Sequence, residues 1–198
     1  MTRWLAAAAI FAALALAGCK PAPPTFNATD VTGAAFARDF ELVDHHGQRR
    51  TLADFRGKLV AIFFGYTHCP DVCPTTLSDF AAALEQLGPD AVRVQVIFVT
   101  VDPERDTPDL LQAFVPAFNP SFLGMYTDAE SLRALASEYK VVYQKTGVKG
   151  EGDYLIDHSA GTFVYDTRGQ LRLHVPYGSG ADAIAQDLRT LLAASGKG

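Results

Sequence analysis

Cysteine, methionine and tryptophan are scarce in this chain, which has 198 residues but only 3 Cys, 2 Met and 1 Trp. Three cysteines are too few for a small secreted fold that is held together by several disulfides. Basic residues do not exceed acidic ones, at 17 Lys and Arg against 22 Asp and Glu, so the net charge is -5. This balance excludes non-specific nucleic-acid binding, which depends on a basic surface.

The rest of the composition is that of an ordinary globular protein. Hydrophobic residues make up 48% of the chain and charged residues 20%. Disordered, collagen-like and coiled-coil chains all need a more biased composition, so these classes are excluded. The length of 198 residues fits a single domain, because domains run to about 100–200 residues.

The first 19 residues have the features of an export signal. Arg3 precedes an Ala- and Leu-rich run from Leu5 to Leu16, which is too short to span a bilayer comfortably. The run ends in Leu16-Ala17-Gly18-Cys19, which resembles the bacterial lipobox, in which the cysteine is acylated. The alternative is an ordinary signal peptide, or an N-terminal anchor helix, in which Cys19 is coincidental.

The lipobox interpretation divides the chain into three segments. Residues 1–18 are predicted to be a lipoprotein signal peptide, residues 19–30 a lipid-attached tether rich in Pro, Ala and Thr, and residues 31–198 the folded domain. We expect a lipid anchor in a bacterial cell membrane, with the domain facing the periplasm or the extracytoplasmic side. Because Cys19 would carry the lipid, Cys69 and Cys73 are the remaining cysteine pair.

Strand and helix patterns alternate along the body of the chain. Unbroken apolar runs, typical of strands buried on both faces, occur at 59–64 and 92–101. Shorter strands are predicted at 40–44, 141–143, 162–165 and 171–175, and helices at 75–87, after the N-caps Thr107 and Asp128, and at 180–194. This alternation predicts an α/β fold built as a three-layer sandwich.

The pair Cys69 and Cys73 lies between a buried strand and a helix. Pro74 disfavours helical geometry at Cys73, so we expect the segment from Cys69 to Cys73 to be a loop at the helix N-terminus, where thiol pKa values are lowered. A spacer of three residues lets both sulfurs point at one metal or close a small disulfide ring. A structural disulfide and a catalytic thioredoxin-type dithiol, whose usual spacer is two residues, are the alternatives.

A third ligand is sought among the 5 histidines. His158 is the best candidate, because it is predicted to lie in a loop just before the strand at 162–165. If that strand neighbours the strand at 59–64, His158 ends at the same sheet edge as the cysteines. A surface or capping role is the alternative for His158. The other histidines are expected to be elsewhere: His45 and His46 exposed at a polar turn, His68 pointing away from the cysteines, and His174 partly exposed.

Two thiolates and one imidazole favour a soft metal. Cu(I), zinc and iron–sulfur clusters all accept thiolate ligands. A structural zinc needs four protein ligands and an iron–sulfur cluster usually four thiolates, whereas a catalytic zinc can use two Cys and one His plus water. Three protein ligands with an exchangeable position suit a copper ion that is to be handed on. Only Met1 and Met125 offer thioethers, so a thioether-rich copper site is excluded.

Three motifs together resemble the Sco/SenC family. They are GYTHCPDVCP at 65–74, VDPERDTP at 101–108 and YLIDHS at 154–159. The resemblance implies a thioredoxin-like, copper-binding domain in which Cys69, Cys73 and His158 hold the metal. It also implies delivery of copper to the copper A site of cytochrome c oxidase, with the copper A-bearing subunit or another copper chaperone as the partner.

The resemblance leaves other roles open. Some family members have thiol–disulfide roles, and an oxidoreductase acting on the cysteines of a copper-site partner would need Cys69 and Cys73 but not His158. A thioredoxin-like peroxidase is disfavoured, because Thr67 lies two residues before Cys69 where three are needed. Asp102 and Asp106 match the family's acidic loop, and we interpret them as loop-ordering or partner-contact residues, with helix capping as the alternative.

Overall fold

The computed structural model describes residues 24–150 and 153–195. The predicted signal peptide (1–18), the lipidation site Cys19 and the first part of the predicted tether lie outside the described residues. Within the described part of the chain, none of the helices has the length and apolar character needed to cross a membrane.

Ten strands and four α-helices make up the described structure. The strands are β1 (Thr29–Asp30), β2 (Glu41–Asp44), β3 (Arg49–Thr51), β4 (Leu59–Gly65), β5 (Val94–Thr100), β6 (Leu123–Tyr126), β7 (Tyr143–Gly150), β8 (Asp153–His158), β9 (Thr162–Tyr165) and β10 (Leu171–Val175). The helices are α1 (Val72–Leu87), α2 (Pro108–Phe114), α3 (Ala129–Tyr139) and α4 (Ala181–Ser195).

Eight strands form one mixed sheet in the order β1-β10-β9-β4-β5-β6-β2-β3. Strands β4, β5 and β6 are parallel neighbours, and β9 runs antiparallel to β4. Every residue of β4 and β5 is buried, which explains their unbroken apolar sequences. Since β4 and β5 are parallel, their carboxyl ends meet at one edge of the sheet, here called the site edge.

Helices cover both faces of this sheet. On one face, α1 and α2 pack over Phe63 and Phe98, and α4 packs against α1. On the other face, the ring of Tyr139 in α3 lies 5.1 Å from the ring of Phe64. Consecutive strand residues point to opposite faces, so Phe63 and Phe64 are buried in different layers. The predicted α/β three-layer sandwich is confirmed.

A separate two-stranded sheet, formed by β7 and β8, carries the third sequence motif. Tyr143 pairs with His158, and Lys145 with Ile156. Two predictions are wrong here. The strand expected at 141–143 begins only at Tyr143, and the expected loop around His158 is a strand that ends at His158. The cause is that these strands are largely polar, so they give no strong apolar period.

Candidate metal centre

Cys69, Cys73 and His158 converge at the site edge. One ligand atom from each of the three, Sγ or an imidazole nitrogen, lies within 4.8 Å of the other two. The closest approach described is 3.5 Å between Cys73 Sγ and His158 Nε2. In residues 24–150 and 153–195 this is the one group of three or more His, Cys, Asp or Glu side chains placed to hold a metal ion.

The two cysteines are placed by the turn that leaves β4. The Cys69 N–H donates to the carbonyl of Tyr66 at 3.2 Å, and the Cys73 N–H donates to Cys69 Sγ at 3.4 Å. Gly65 ends β4 beneath them, where a Cβ atom would stand 2.7 Å from Cys73 Sγ and 2.8 Å from the Phe98 ring. A side chain at this position would therefore displace the thiol, so the close approach needs glycine.

The predicted loop around the cysteines is wrong at its second half. Helix α1 already begins at Val72, so Cys73 lies in its first turn and only Cys69 is in the loop. Pro74 is tolerated because the first-turn N–H groups of a helix have no partner within the helix.

The expected lowering of the thiol pKa is also wrong for Cys73. This side chain is completely buried, and burial raises the pKa of its thiol well above the ordinary value, although a backbone hydrogen bond from Tyr66 acts in the opposite direction. Burial outweighs the helix N-terminus because removing a thiolate from water disfavours the charged form. Cys69 is partly exposed, and both cysteines are free thiols in this structure.

His158 presents one defined nitrogen to the thiols. Its Nδ1 lies 3.1 Å from the carbonyl oxygen of Ser159, which can only accept, so Nδ1 carries the ring proton and Nε2 faces Cys73 with its lone pair. The rings of Phe63 and Tyr66 pack edge-on against the imidazole, each at 5.9 Å. Burial lowers the pKa of His158, which keeps the ring neutral and able to bind a metal.

The expected juxtaposition of strands is confirmed, because β9 pairs directly with β4. The remaining histidines are outside the cluster. His68 is half exposed, and its Nδ1 faces Asp106 at 3.8 Å. His174 is partly exposed, as predicted, and His46 is exposed. The prediction is wrong for His45, which is 5% exposed because its Nδ1 accepts a hydrogen bond from the Gly124 N–H at 2.9 Å.

The acidic loop between β5 and α2 lies beside the cysteine turn. Asp106 is buried and accepts hydrogen bonds from the Thr67 N–H at 3.0 Å, the Thr67 hydroxyl at 2.6 Å and the Thr100 hydroxyl at 2.6 Å. Asp102 is buried as well and accepts from the Tyr154 hydroxyl at 2.7 Å. Neither residue caps α2, which is capped by Thr107. Both carboxylates thus order the loop from within the protein.

The roles of three residues at the centre were not predicted from sequence patterns. Gly65 allows the close approach of the Cys73 thiol, and Tyr66 packs against the His158 ring. Arg105 stacks its guanidinium 3.6 Å from the centre of the Tyr154 ring. Gly65 has a signal, since a glycine that follows a buried strand often marks a close approach of the backbone. For Arg105 the signal is its place in the motif at 101–108, and no local pattern shows its role because its partner Tyr154 is 49 residues away.

The donor set fits a soft metal ion. Two sulfurs and one neutral imidazole nitrogen are the ligands that copper and zinc accept, and three protein donors leave a coordination position open. Met125, the one methionine among the described residues, is buried in β6. The centre therefore has the chemistry of a thiolate–imidazole site in which the metal can be exchanged.

Comparison with known proteins agrees with this geometry. The family model described as SCO1/SenC matches residues 28–193. The mitochondrial SCO2 homolog of Bos taurus is 37% identical over 158 residues, which are 79% of this chain and 59% of that protein. The chain thus spans less than two thirds of the length of this relative.

Two solved structures are similar over nearly their whole length. Bradyrhizobium japonicum ScoI with copper bound is 36% identical with a TM-score of 0.73, covering 79% of this chain and 99% of its own. Apo Sco1 from Thermus thermophilus is 42% identical with a TM-score of 0.75, covering 86% and 99%. The predicted thioredoxin-like fold is confirmed by these structures, and the chain belongs to the SCO1/SenC family.

Proposed function

We propose that this protein is a copper metallochaperone that holds copper through Cys69, Cys73 and His158 and delivers it to the copper A site of cytochrome c oxidase. The observation that carries the proposal is the approach of the three ligand atoms to within 4.8 Å of one another. The similarity to a Sco protein with copper bound supports copper over zinc as the metal.

The three ligands have different parts in this function. Cys73 is buried and His158 half-buried, whereas Cys69 is partly exposed. An incoming ligand of the partner therefore meets the metal on the side of Cys69, and copper passes by exchange of one ligand at a time. Because the Cys73 thiol is protonated in the metal-free protein, copper binding releases protons.

The proposal places the protein at a bacterial cell membrane, anchored by lipid at Cys19 and facing the periplasm or the extracytoplasmic side. Its support in the described residues is where the chain enters the domain. Asp187 accepts hydrogen bonds from the N–H groups of Asn27 and Ala28, each at 2.8 Å. The next residue, Thr29, pairs with His174 near the end of β10. Since β10 is parallel to β4, the tether joins the domain at the site edge, on the side of the metal centre.

A thiol–disulfide oxidoreductase is the second candidate. Its support is that the two free thiols of Cys69 and Cys73 lie close enough to be within the 4.8 Å cluster. In this role the two thiols would give two electrons and two protons to a disulfide of a copper-site partner, and Cys69 and Cys73 would form a disulfide. This reaction needs no imidazole, so it separates from copper delivery at His158.

The test uses the full chain, purified in detergent, reduced and loaded with copper without oxygen. We expect about one copper per chain in the wild type and transfer of that copper to a recombinant copper A domain. In His158→Ala we expect a reduced affinity for Cu(I) and a larger loss of affinity for Cu(II). The matched control is His68→Ala, which removes an imidazole next to Cys69 but outside the cluster. Absence of bound copper, together with reduction of partner disulfides that survives His158→Ala, would replace the chaperone by the oxidoreductase.

A further inference from the structure

The histidine ligand stands on a part of the protein that the main sheet does not hold. Among the described strands, β7 and β8 pair only with each other, in a sheet of two strands. An isolated hairpin is marginally stable by itself. Contacts outside the ladder must therefore hold His158 beside the cysteines.

Arg105 supplies such contacts from the acidic loop. Its Nε donates to Asp102 at 2.5 Å, and one terminal nitrogen donates to the carbonyl oxygen of Tyr154 in β8 at 2.9 Å. The guanidinium carbon also lies 3.6 Å from the centre of the Tyr154 ring. The Tyr154 hydroxyl also donates to Asp102, at 2.7 Å, so Arg105 and Tyr154 share this carboxylate. Arg105 thus binds both the backbone and the ring of Tyr154.

A second ion pair fixes the other strand of the hairpin to the same loop. Lys145 in β7 lies 2.6 Å from the carboxylate of Glu104, and its ammonium nitrogen stands 4.5 Å from the centre of the Tyr154 ring. This pair is exposed and contributes little by itself. Its position shows that the loop meets both strands of the hairpin.

The same loop holds the cysteine half of the centre. Asp106 follows Arg105 directly and accepts from the backbone and the hydroxyl of Thr67, two residues before Cys69. One short loop therefore contacts both halves of the centre, and the spacing between the halves depends on it.

The strand geometry transmits the position of Tyr154 to the ligand. Residues at even spacing in a strand share a face, and Tyr154, Ile156 and His158 all point toward the domain while Leu155 and Asp157 are exposed. Four residues of strand span only about 13 Å. A tilt of β8 at Tyr154 therefore moves the imidazole relative to the thiols.

We propose that Arg105 is a positioning residue for His158: by clamping Tyr154 it keeps the imidazole within coordinating reach of Cys73. The inference rests on the proposed copper function and deepens it. Cu(I) is satisfied by two soft thiolates, whereas Cu(II) has a greater need of the imidazole nitrogen. Arg105 accordingly sets how well the centre holds Cu(II) and has less effect on Cu(I).

The test compares Arg105→Lys with the wild type in the full chain. Lysine keeps the charge beside Asp102 but cannot make the planar stack and the forked hydrogen bonds. Tyr154→Phe is the milder variant, since it removes only the hydroxyl bond to Asp102. The control is Arg93→Lys, because Arg93 pairs with Asp90 at the same spacing of three residues but lies on the surface before β5.

Two readouts are needed. The first, without any metal, is hydrogen exchange of the β7 and β8 amides, which we expect to become faster in Arg105→Lys while β4 and β5 are unchanged. The second is the affinity for Cu(II), which we expect to fall about 10-fold, as is typical when a partner of a metal ligand is lost, with a smaller change for Cu(I). In a His158→Ala background the same substitution should no longer change the Cu(II) affinity.

Three results would overturn the proposal. They are unchanged exchange of the hairpin amides, equal losses of Cu(I) and Cu(II) affinity, or an effect of Arg105→Lys that persists undiminished in His158→Ala. If the wild type bound no copper, the proposed function would fall, and with it the ligand role that Arg105 is proposed to support. Faster hairpin exchange would then show that Arg105 fixes the hairpin for another purpose.

Discussion

The two halves of the metal centre differ in how the fold holds them. Cys69 and Cys73 follow β4, a strand with neighbours on both sides in an eight-stranded sheet, and Cys73 is completely buried. His158 ends a strand of a separate hairpin and is only half-buried. The dithiol is fixed because it follows a core strand, β4. The position of the imidazole depends instead on side-chain contacts between its hairpin and the acidic loop.

Under the proposed copper function, this difference gives the two halves different tasks. A dithiol on a rigid turn provides the sulfur donors with little rearrangement, which favours tight retention of the metal. A ligand on a less firmly held hairpin can be withdrawn more easily, which favours release to a partner. Substitution of Cys73 or His158 removes a ligand from one half, whereas substitution of Asp106 or a change of pH alters what holds or protonates the halves.

The largest effect is expected for Cys73→Ser. Serine is close in size but offers no soft thiolate, so copper affinity should fall by more than about 100-fold, beyond the range seen when only an outer partner is lost. Competition with a chromophoric Cu(I) chelator measures the affinity, and circular dichroism checks that the fold is kept. Affinity like that of the wild type would remove Cys73 from the ligand set.

A smaller, selective effect is expected for His158→Ala. The two thiolates remain, so Cu(I) is retained with reduced affinity, while Cu(II) affinity falls at least about 10-fold. Loss of the sulfur-to-copper charge-transfer absorption of the Cu(II) form reports the change. His68→Ala removes an exposed imidazole and should keep this absorption. Loss of the absorption in His68→Ala would shift the ligand role to His68.

Asp106→Asn tests the support of the cysteine half. An amide cannot accept all of the hydrogen bonds that Thr67 and Thr100 donate to this carboxylate, and a buried donor left unpaired costs about 1–3 kcal/mol. Chemical denaturation should show a loss of that size in the metal-free protein. Asp109→Asn, at an exposed position three residues later, should change the free energy of unfolding by much less, and equal losses would refute this support.

The smallest effect is a pH dependence of the metal-free protein. Burial lowers the pKa of His45, His158 and His174 below the ordinary 6.5. Below about pH 6.5 the unfolded chain therefore binds more protons than the folded one, so the free energy of unfolding falls as the pH drops. Hydrogen bonds from Thr51 lower the pKa of Asp54 below 3.8. The stability that such carboxylates contribute is therefore lost only at a lower pH than the one at which the histidines titrate.

Thermal melts between pH 8 and pH 5 measure this dependence. The melting temperature should decline below about pH 6.5, and the decline should be shallower in His158→Ala. His68→Ala is the control, because this imidazole is half exposed. A melting temperature that rises on acidification through this interval would contradict the sign derived from burial.

Local physical rules were sufficient for the regular part of the fold. The apolar run at 59–64 became β4, and the caps Thr107 and Asp128 start helices where expected, each accepting hydrogen bonds from first-turn N–H groups. These features depend on neighbours within a few residues, so the sequence displays them. The start of α1 was misplaced because the N-cap Asp71 lies before Pro74, which a first turn tolerates.

The supports of the centre depend on distant neighbours and could not be derived in the same way. Burial of Cys73 and its raised thiol pKa follow from how α1 packs over β4, which no local pattern shows. The stack of Arg105 on Tyr154 joins two segments 49 residues apart. His45 was expected at the surface because its neighbours in the sequence are polar, yet its ring is buried and accepts a hydrogen bond from the Gly124 N–H.

X-ray absorption at the copper edge counts the atoms bound to the metal and can therefore test whether Cys69, Cys73 and His158 hold it. The sample is the full chain, loaded with one equivalent of copper in the Cu(II) form. We expect two sulfur neighbours and an imidazole nitrogen, and loss of the imidazole contribution in His158→Ala. A first shell without sulfur, or an imidazole contribution that persists in His158→Ala, would contradict a centre built from Cys69, Cys73 and His158.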